Sequence, residues 1–196
     1  QNSLPFFAIG HSRMATNGFD DDHNNNQPVL KEGSILLHNG IIVNEEEIYQ
    51  KYPFEKSFEV DSEVIINLFN HFIKNNQLKL ESVFNTINGA ASLAYIDKGS
   101  EKLILASNTG SLYFASLLNN QTLLFASEEF MITDAIKNLN IIDVEIFQVN
   151  YNKAVIIDIK SLDFEFINWH KEISFSQNQV NEIKNYSKIK PLSNIN

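Results

Sequence analysis

The sequence predicts an α+β fold: mainly antiparallel sheets packed together, with helices segregated outside them. Three observations carry this prediction. Helical patterns cluster in the first 90 residues, short strand-like runs dominate after residue 91, and turn chemistry separates those runs. A doubly wound parallel sheet would alternate strand and helix along the whole chain, and this order does not. A four-layer αββα sandwich accommodates it.

The elements follow in order. Residues 6–11 read as a strand, and a polar loop over 17–27 follows. The run Asp20-Asp21-Asp22-His23-Asn24-Asn25-Asn26 could bind a hard cation. It lacks the glycine and the bidentate glutamate spacing of a calcium loop, and reads as a solvated loop. Gly33 marks a turn. Residues 34–38 and 41–43 are apolar runs interrupted by His38-Asn39-Gly40. Asn44 followed by Glu45, Glu46 and Glu47 starts a helix, with a capping side chain and then acids at the positive end of the dipole. Asp61 or Ser62 starts a second helix, whose Val64, Ile65, Leu68, Phe69 and Phe72 fall at helical spacing. A short helix covers 80–87.

Beyond residue 91 the strands are 92–96, 103–106, 112–118 and 123–126. Asp97-Lys98-Gly99-Ser100, Asn108-Thr109-Gly110 and Asn119-Asn120-Gln121 provide the turns between them. A helix over 128–139 precedes strands near 144–149 and 154–159 and another at 164–167. The organisation is one domain over residues 1–170, followed by a polar tail or linker over 171–196.

Composition narrows the function. The 196 residues are 43% hydrophobic and 20% charged, which suits a packed core, and the net charge is −9. A nucleic-acid binder would carry a basic face, and an anionic membrane surface would repel this chain. No apolar run approaches the ~20 residues that span a bilayer, and the first residues carry no basic leader. The absence of cysteine excludes disulfides and thiolate metal sites and fits a cytoplasmic protein. No cofactor motif is present. Arg13 is the single arginine. Lysine replaces a positive charge but not a planar, bidentate grip on a carboxylate, so Arg13 is a candidate for specific binding.

Three segments read together: Gly10-His11-Ser12-Arg13-Met14-Ala15-Thr16-Asn17-Gly18, His38-Asn39-Gly40-Ile41-Ile42-Val43-Asn44, and Asp61-Ser62-Glu63-Val64-Ile65. In this order and spacing they resemble the class II glutamine amidotransferases, which have the N-terminal-nucleophile hydrolase fold. The nearest likeness is to the glutaminase domain of the glucosamine–fructose-6-phosphate aminotransferases, enzymes of amino-sugar biosynthesis. Asn25-Asn26-Gln27-Pro28, residues 89–97 and 103–110, and Phe125-Ala126-Ser127-Glu128 add support; the last is also similar to asparagine synthetase.

The resemblance implies roles. Arg13 takes the α-carboxylate of glutamine, Thr16 lines the same pocket, and Asp61 takes the α-ammonium. Asn39, by its side-chain amide, and Gly40, by its backbone N–H, form the oxyanion hole. Met14 stands where the family has tryptophan and joins the substrate-binding set; Asn17 and Gln27 stand at or near positions where it has histidine. A free amino acid offers one carboxylate and one ammonium, so a site selecting it needs one bidentate cation and one anion on rigid supports. The residues alone leave other readings open: Asn39-Gly40 is also a type I′ turn pair, Asp61 is also an N-cap, and His11 and His38 read as strand residues with satisfied hydrogen bonds.

The family's nucleophile is an N-terminal cysteine, which the sequence lacks. The resemblance therefore implies a missing N-terminal segment carrying the first strand and the cysteine, with a groove where that strand lies. It also implies an acceptor or synthase domain elsewhere that consumes the ammonia. The alternative is a catalytically inactive domain that binds glutamine or a protein partner.

Overall fold

Alternation along the central strands divides the chain into layers. A computed structural model of the chain describes residues 7–12, 26–74, 77–97, 99–117, 121–142, 144–169 and 173–174. In chain order its elements are β1 (Val29–Lys31), β2 (Ser34–Ile42), α1 (Glu45–Lys51), α2 (Ser62–Phe72), β3 (Ile73–Lys74), β4 (Gln77–Leu78) and α3 (Leu80–Thr86). There follow β5 (Gly89–Ile96), β6 (Lys102–Ser107), β7 (Tyr113–Leu117), β8 (Thr122–Ala126), α4 (Glu129–Asn138), β9 (Ile146–Gln148), β10 (Lys153–Asp158), β11 (Phe164–Asn168) and β12 (Ile173–Ser174).

A six-stranded sheet has the order β1-β2-β5-β6-β10-β11, with every pairing antiparallel. A second, three-stranded antiparallel sheet has the order β8-β7-β9. A small sheet joins β12, β4 and β3.

Successive strand residues point to opposite faces. Leu36, Leu93, Tyr95, Ile104 and Ile156 pack on Val64, Ile65, Leu68 and Phe69 of α2, while Leu37, Ala94, Leu105 and Val155 pack on Phe114 of β7. On the far side of the second sheet, Ala115 and Leu117 pack on Ile132 of α4. The layers are therefore helices α1–α3, large sheet, small sheet, helix α4, which is the αββα sandwich. Val64, Ile65, Leu68 and Phe69 are each 0% exposed, as their helical spacing predicts.

Some expectations need correction. Residues 7–12 form no strand; Ile9 packs in an irregular segment against the inter-sheet core. β2 runs unbroken through His38-Asn39-Gly40, so Asn39-Gly40 is strand interior and not a hairpin turn. The strand β1 and the short strands β3, β4 and β12 escape sequence reading because two or three residues carry no period. Beside β8, whose second edge has no strand among the described residues, a cavity of about 740 Å³ opens between the sheets, lined by residues 7–10, 121–125, Leu103 and Ile157. Among the described residues no helix is long and apolar enough to cross a membrane.

Candidate functional site

The site is built on the outer edge of β2, past the point where β1 stops pairing. β1 reaches only to Leu36 of β2, whereas β5 pairs along β2 from Ile35 to Ile42. In an antiparallel ladder the main-chain groups of alternate residues face opposite neighbours. Val43 donates to Asn88 O on the β5 side at 2.8 Å, which sets the parity: His38, Gly40 and Ile42 face outward.

Among the described residues, two of the three outward N–H groups have a side-chain partner. The Gln27 carboxamide accepts from His38 N–H at 2.6 Å and donates to His38 O at 2.7 Å. Ile42 N–H donates to Asp61 Oδ2 at 2.8 Å. Gly40 lies between them, its N–H directed to the same edge with no partner among the described residues. The Gly40 φ is +148°, and a Cβ there would come within 1.9 Å of Ala90 O. Its diagonal neighbour Gly89, φ +142°, would place a Cβ 2.0 Å from Ile41 O. Only glycine permits this approach of the two backbones.

The opposite strand is held as firmly. Asn108 Oδ1 accepts from Ala91 N–H at 2.7 Å and its Nδ2 donates to Gly89 O at 2.8 Å, bracketing Ala90. His38 Nε2 lies 3.2 Å from Ala90 O, so the neutral ring carries its proton there and Nδ1 accepts from Ser62 Oγ at 3.1 Å. Burial holds the His38 imidazole below its ordinary value. Asp61, 3.8 Å from Nδ1, pulls it up, and His11 adds to the lowering.

Asp61 precedes α2 with helical backbone angles, but its carboxylate makes no cap bond to that helix. One oxygen is anchored on Ile42. Among the described residues the other has Ser62 Oγ at 3.5 Å and His38 Nδ1 at 3.8 Å as neighbours, and the side chain is 17% exposed, which leaves that oxygen accessible to a cation. The next residue but one, Glu63, is wholly buried. It pairs with Lys31, accepts from Ser57 and Phe58 N–H, and takes the Tyr49 hydroxyl. Burial alone would raise the Glu63 carboxyl. Lys31 and those N–H groups outweigh it and hold the carboxyl below its ordinary value. Glu63 thereby ties the loop over 57–58 to the start of α2, which aims Asp61 at β2.

A family model for a glutamine amidotransferase domain matches residues 11–134, well over half of the chain. The chain belongs to the class II glutamine amidotransferase family. Curated relatives of this amidotransferase include two proteins named glutamine–fructose-6-phosphate aminotransferase. One, from Shewanella oneidensis, is 33% identical over 53% of this chain and 18% of its own length. The other, from Streptococcus agalactiae, is 27% identical over 77% of this chain and 26% of its own length. The chain thus spans about a quarter or less of these relatives. A glutamine phosphoribosylpyrophosphate amidotransferase from B. subtilis shares the fold, with a TM-score of 0.61, 19% identity, and coverage of 81% of this chain and 34% of that one. That fold is the N-terminal-nucleophile hydrolase fold.

Of the residues singled out in the amidotransferase sequence, the structure brings Asn39, Gly40 and Asp61 to one stretch of β2, although Asp61 is far from the others along the chain. Asn39 shares the inter-sheet face of β2 with Leu37 and lies opposite Ser92. Arg13, Met14 and Thr16 lie outside the described residues, as does the acidic run up to Asn25. Sequence reading missed the partners that hold the site: Gln27, Ser62, Gly89 and Asn108. Gln27 was visible only as part of a supporting motif, and Asn108 only as turn chemistry.

Proposed function

We propose that this chain is the glutaminase part of a glutamine amidotransferase, which releases ammonia from the side-chain amide of glutamine for an acceptor domain elsewhere. The observation that supports the reading best is the Gly40 N–H, aimed outward between His38, anchored by Gln27, and Ile42, anchored by Asp61. A donor held in place before reaction stabilises a developing oxyanion without reorganising, and one such donor is worth ~2.7–4 kcal/mol.

In this reading Arg13 grips the α-carboxylate, Asp61 takes the α-ammonium, and Thr16 and Met14 line the pocket. A thiolate adds to the carboxamide carbon, and the Asn39 side-chain amide and Gly40 N–H receive the negative oxygen. Collapse breaks the C–N bond. The departing nitrogen takes the proton that came from the thiol, and ammonia leaves a thioester that water converts to glutamate. The sequence holds no cysteine, so that thiol comes from residues outside these 196. The same absence favours a second reading, a domain that binds glutamine or a partner without turnover.

The test is ammonia release by this chain alone, by the polypeptide that joins it to an N-terminal cysteine, and by the Cys→Ala form of that polypeptide. The glutaminase reading expects activity only in the second, with glutamine binding kept in the third. A cysteine-bearing polypeptide that binds glutamine without releasing ammonia supports the binding module instead.

A further inference from the structure

We infer that Gln27 is a positioning residue for this site: its carboxamide, paired with both main-chain groups of His38, sets the direction of the Gly40 N–H. The inference rests on the reading of Gly40 as an oxyanion donor.

Without Gln27, the outer edge of β2 has no partner among the described residues between Leu36, where β1 stops, and Ile42, which Asp61 holds. Gln27 does with its side chain what the next strand residue would do with its backbone, accepting at 2.6 Å and donating at 2.7 Å. The ladder is extended by one step and ends just short of Gly40. That step matters because glycine has no side chain to restrict its peptide planes, and its backbone is the most mobile of any residue. The Gly40 donor must therefore be aimed by its neighbours. Ala90 O lies against the Gly40 Cα where a side chain would stand, held by His38 Nε2 and flanked by the Asn108 clasp. Asp61 anchors Ile42 ahead of it. β5 holds the inner edge through Asn39, and on the outer edge Gln27 is the anchor on the approaching side among the described residues.

A carboxamide is required because it carries a donor and an acceptor in one plane. Glutamate at the same length presents two acceptors, one of them against His38 O. Methionine fills the space with neither group.

The test pairs two measurements on Gln27→Glu and Gln27→Met. In the cysteine-bearing polypeptide, kcat for ammonia release should fall about 10- to 100-fold, with KM for glutamine changed less than about threefold. In this chain alone, the Gly40 amide resonance should shift in the ¹H–¹⁵N NMR spectrum and exchange faster with solvent. An unchanged Gly40 amide in folded variants overturns the inference, whatever happens to activity. So does an unchanged kcat in a wild-type-active polypeptide. Unfolding of both variants assigns Gln27 to stability alone and overturns it too. A displaced Gly40 amide beside a wild-type polypeptide that releases no ammonia keeps the positioning role and sinks the glutaminase reading instead.

Discussion

Asp61 Oδ2 accepts the main-chain N–H of Ile42 at 2.8 Å, so the carboxylate at the start of α2 is tied to β2 two residues beyond Gly40. One bond makes the candidate ammonium site and the candidate oxyanion donor parts of one rigid unit. Asp61→Asn keeps an oxygen for Ile42 but loses the charge. It should weaken glutamate or glutamine binding by ~1.5–3 kcal/mol in calorimetry while changing stability little. Asp61→Ala should in addition lower stability by ~1–3 kcal/mol in urea unfolding, because the Ile42 N–H is orphaned. Equal ligand affinity in wild type and Asp61→Asn would remove Asp61 from the site.

The close crossing of β2 and β5 tests itself through glycine. Gly40→Ala and Gly89→Ala each drive a Cβ into a carbonyl at about 2 Å, which no rotamer relieves. Each should cost roughly 2 kcal/mol or more in chemical denaturation. Gly10→Ala meets nothing within 4 Å and serves as the control, with stability close to wild type. A Gly40→Ala protein as stable as the control would mean that the two backbones do not approach as described.

Acid should destabilise the fold in two windows. His38 is held below its ordinary value of 6.5, so below that pH the unfolded chain binds the proton and the folded chain resists it. Stability is full above about pH 6.5 and falls as the pH drops through and below it. Glu63 is held below 4.5, so its contribution is present above that value and lost as the pH falls further. Each group contributes a slope of at most about 1.4 kcal/mol per pH unit. Unfolding free energies from pH 8 to pH 3 should flatten in the upper window for His38→Gln and in the lower window for Glu63→Gln. A wild-type profile that is level from pH 7 to pH 5 would contradict the His38 assignment.

Arg13→Lys keeps the charge and loses the planar fork. Glutamine or glutamate affinity should fall by ~1–3 kcal/mol, with unfolding free energy unchanged. Identical binding isotherms for the two proteins would show that the single arginine of the chain holds something other than an α-carboxylate.

Much of the architecture is legible one residue at a time. The period of Val64, Ile65, Leu68 and Phe69 places α2 and its buried face, and the apolar runs with their turns place β5, β6, β7, β8 and β10. The sequence by itself also determined the family, because Arg13, Asn39-Gly40 and Asp61 keep an order and spacing that survive without coordinates. Tertiary structure decided what the polar side chains bond to. Asn44 precedes acids as a helix cap should, yet its amide donates to Thr86 O and accepts from Asn88 N–H instead. Asp61 leaves its own helix uncapped for Ile42, and Gln27 serves His38. Asn39-Gly40, which suits a tight turn, is strand because β5 pairs across it and Ala90 O leaves room for glycine alone. Burial periodicity is a local property of three or four neighbours. A carboxamide or carboxylate bonds whichever N–H or C=O packing brings within 3 Å, and here those groups lie 11 to 44 residues away.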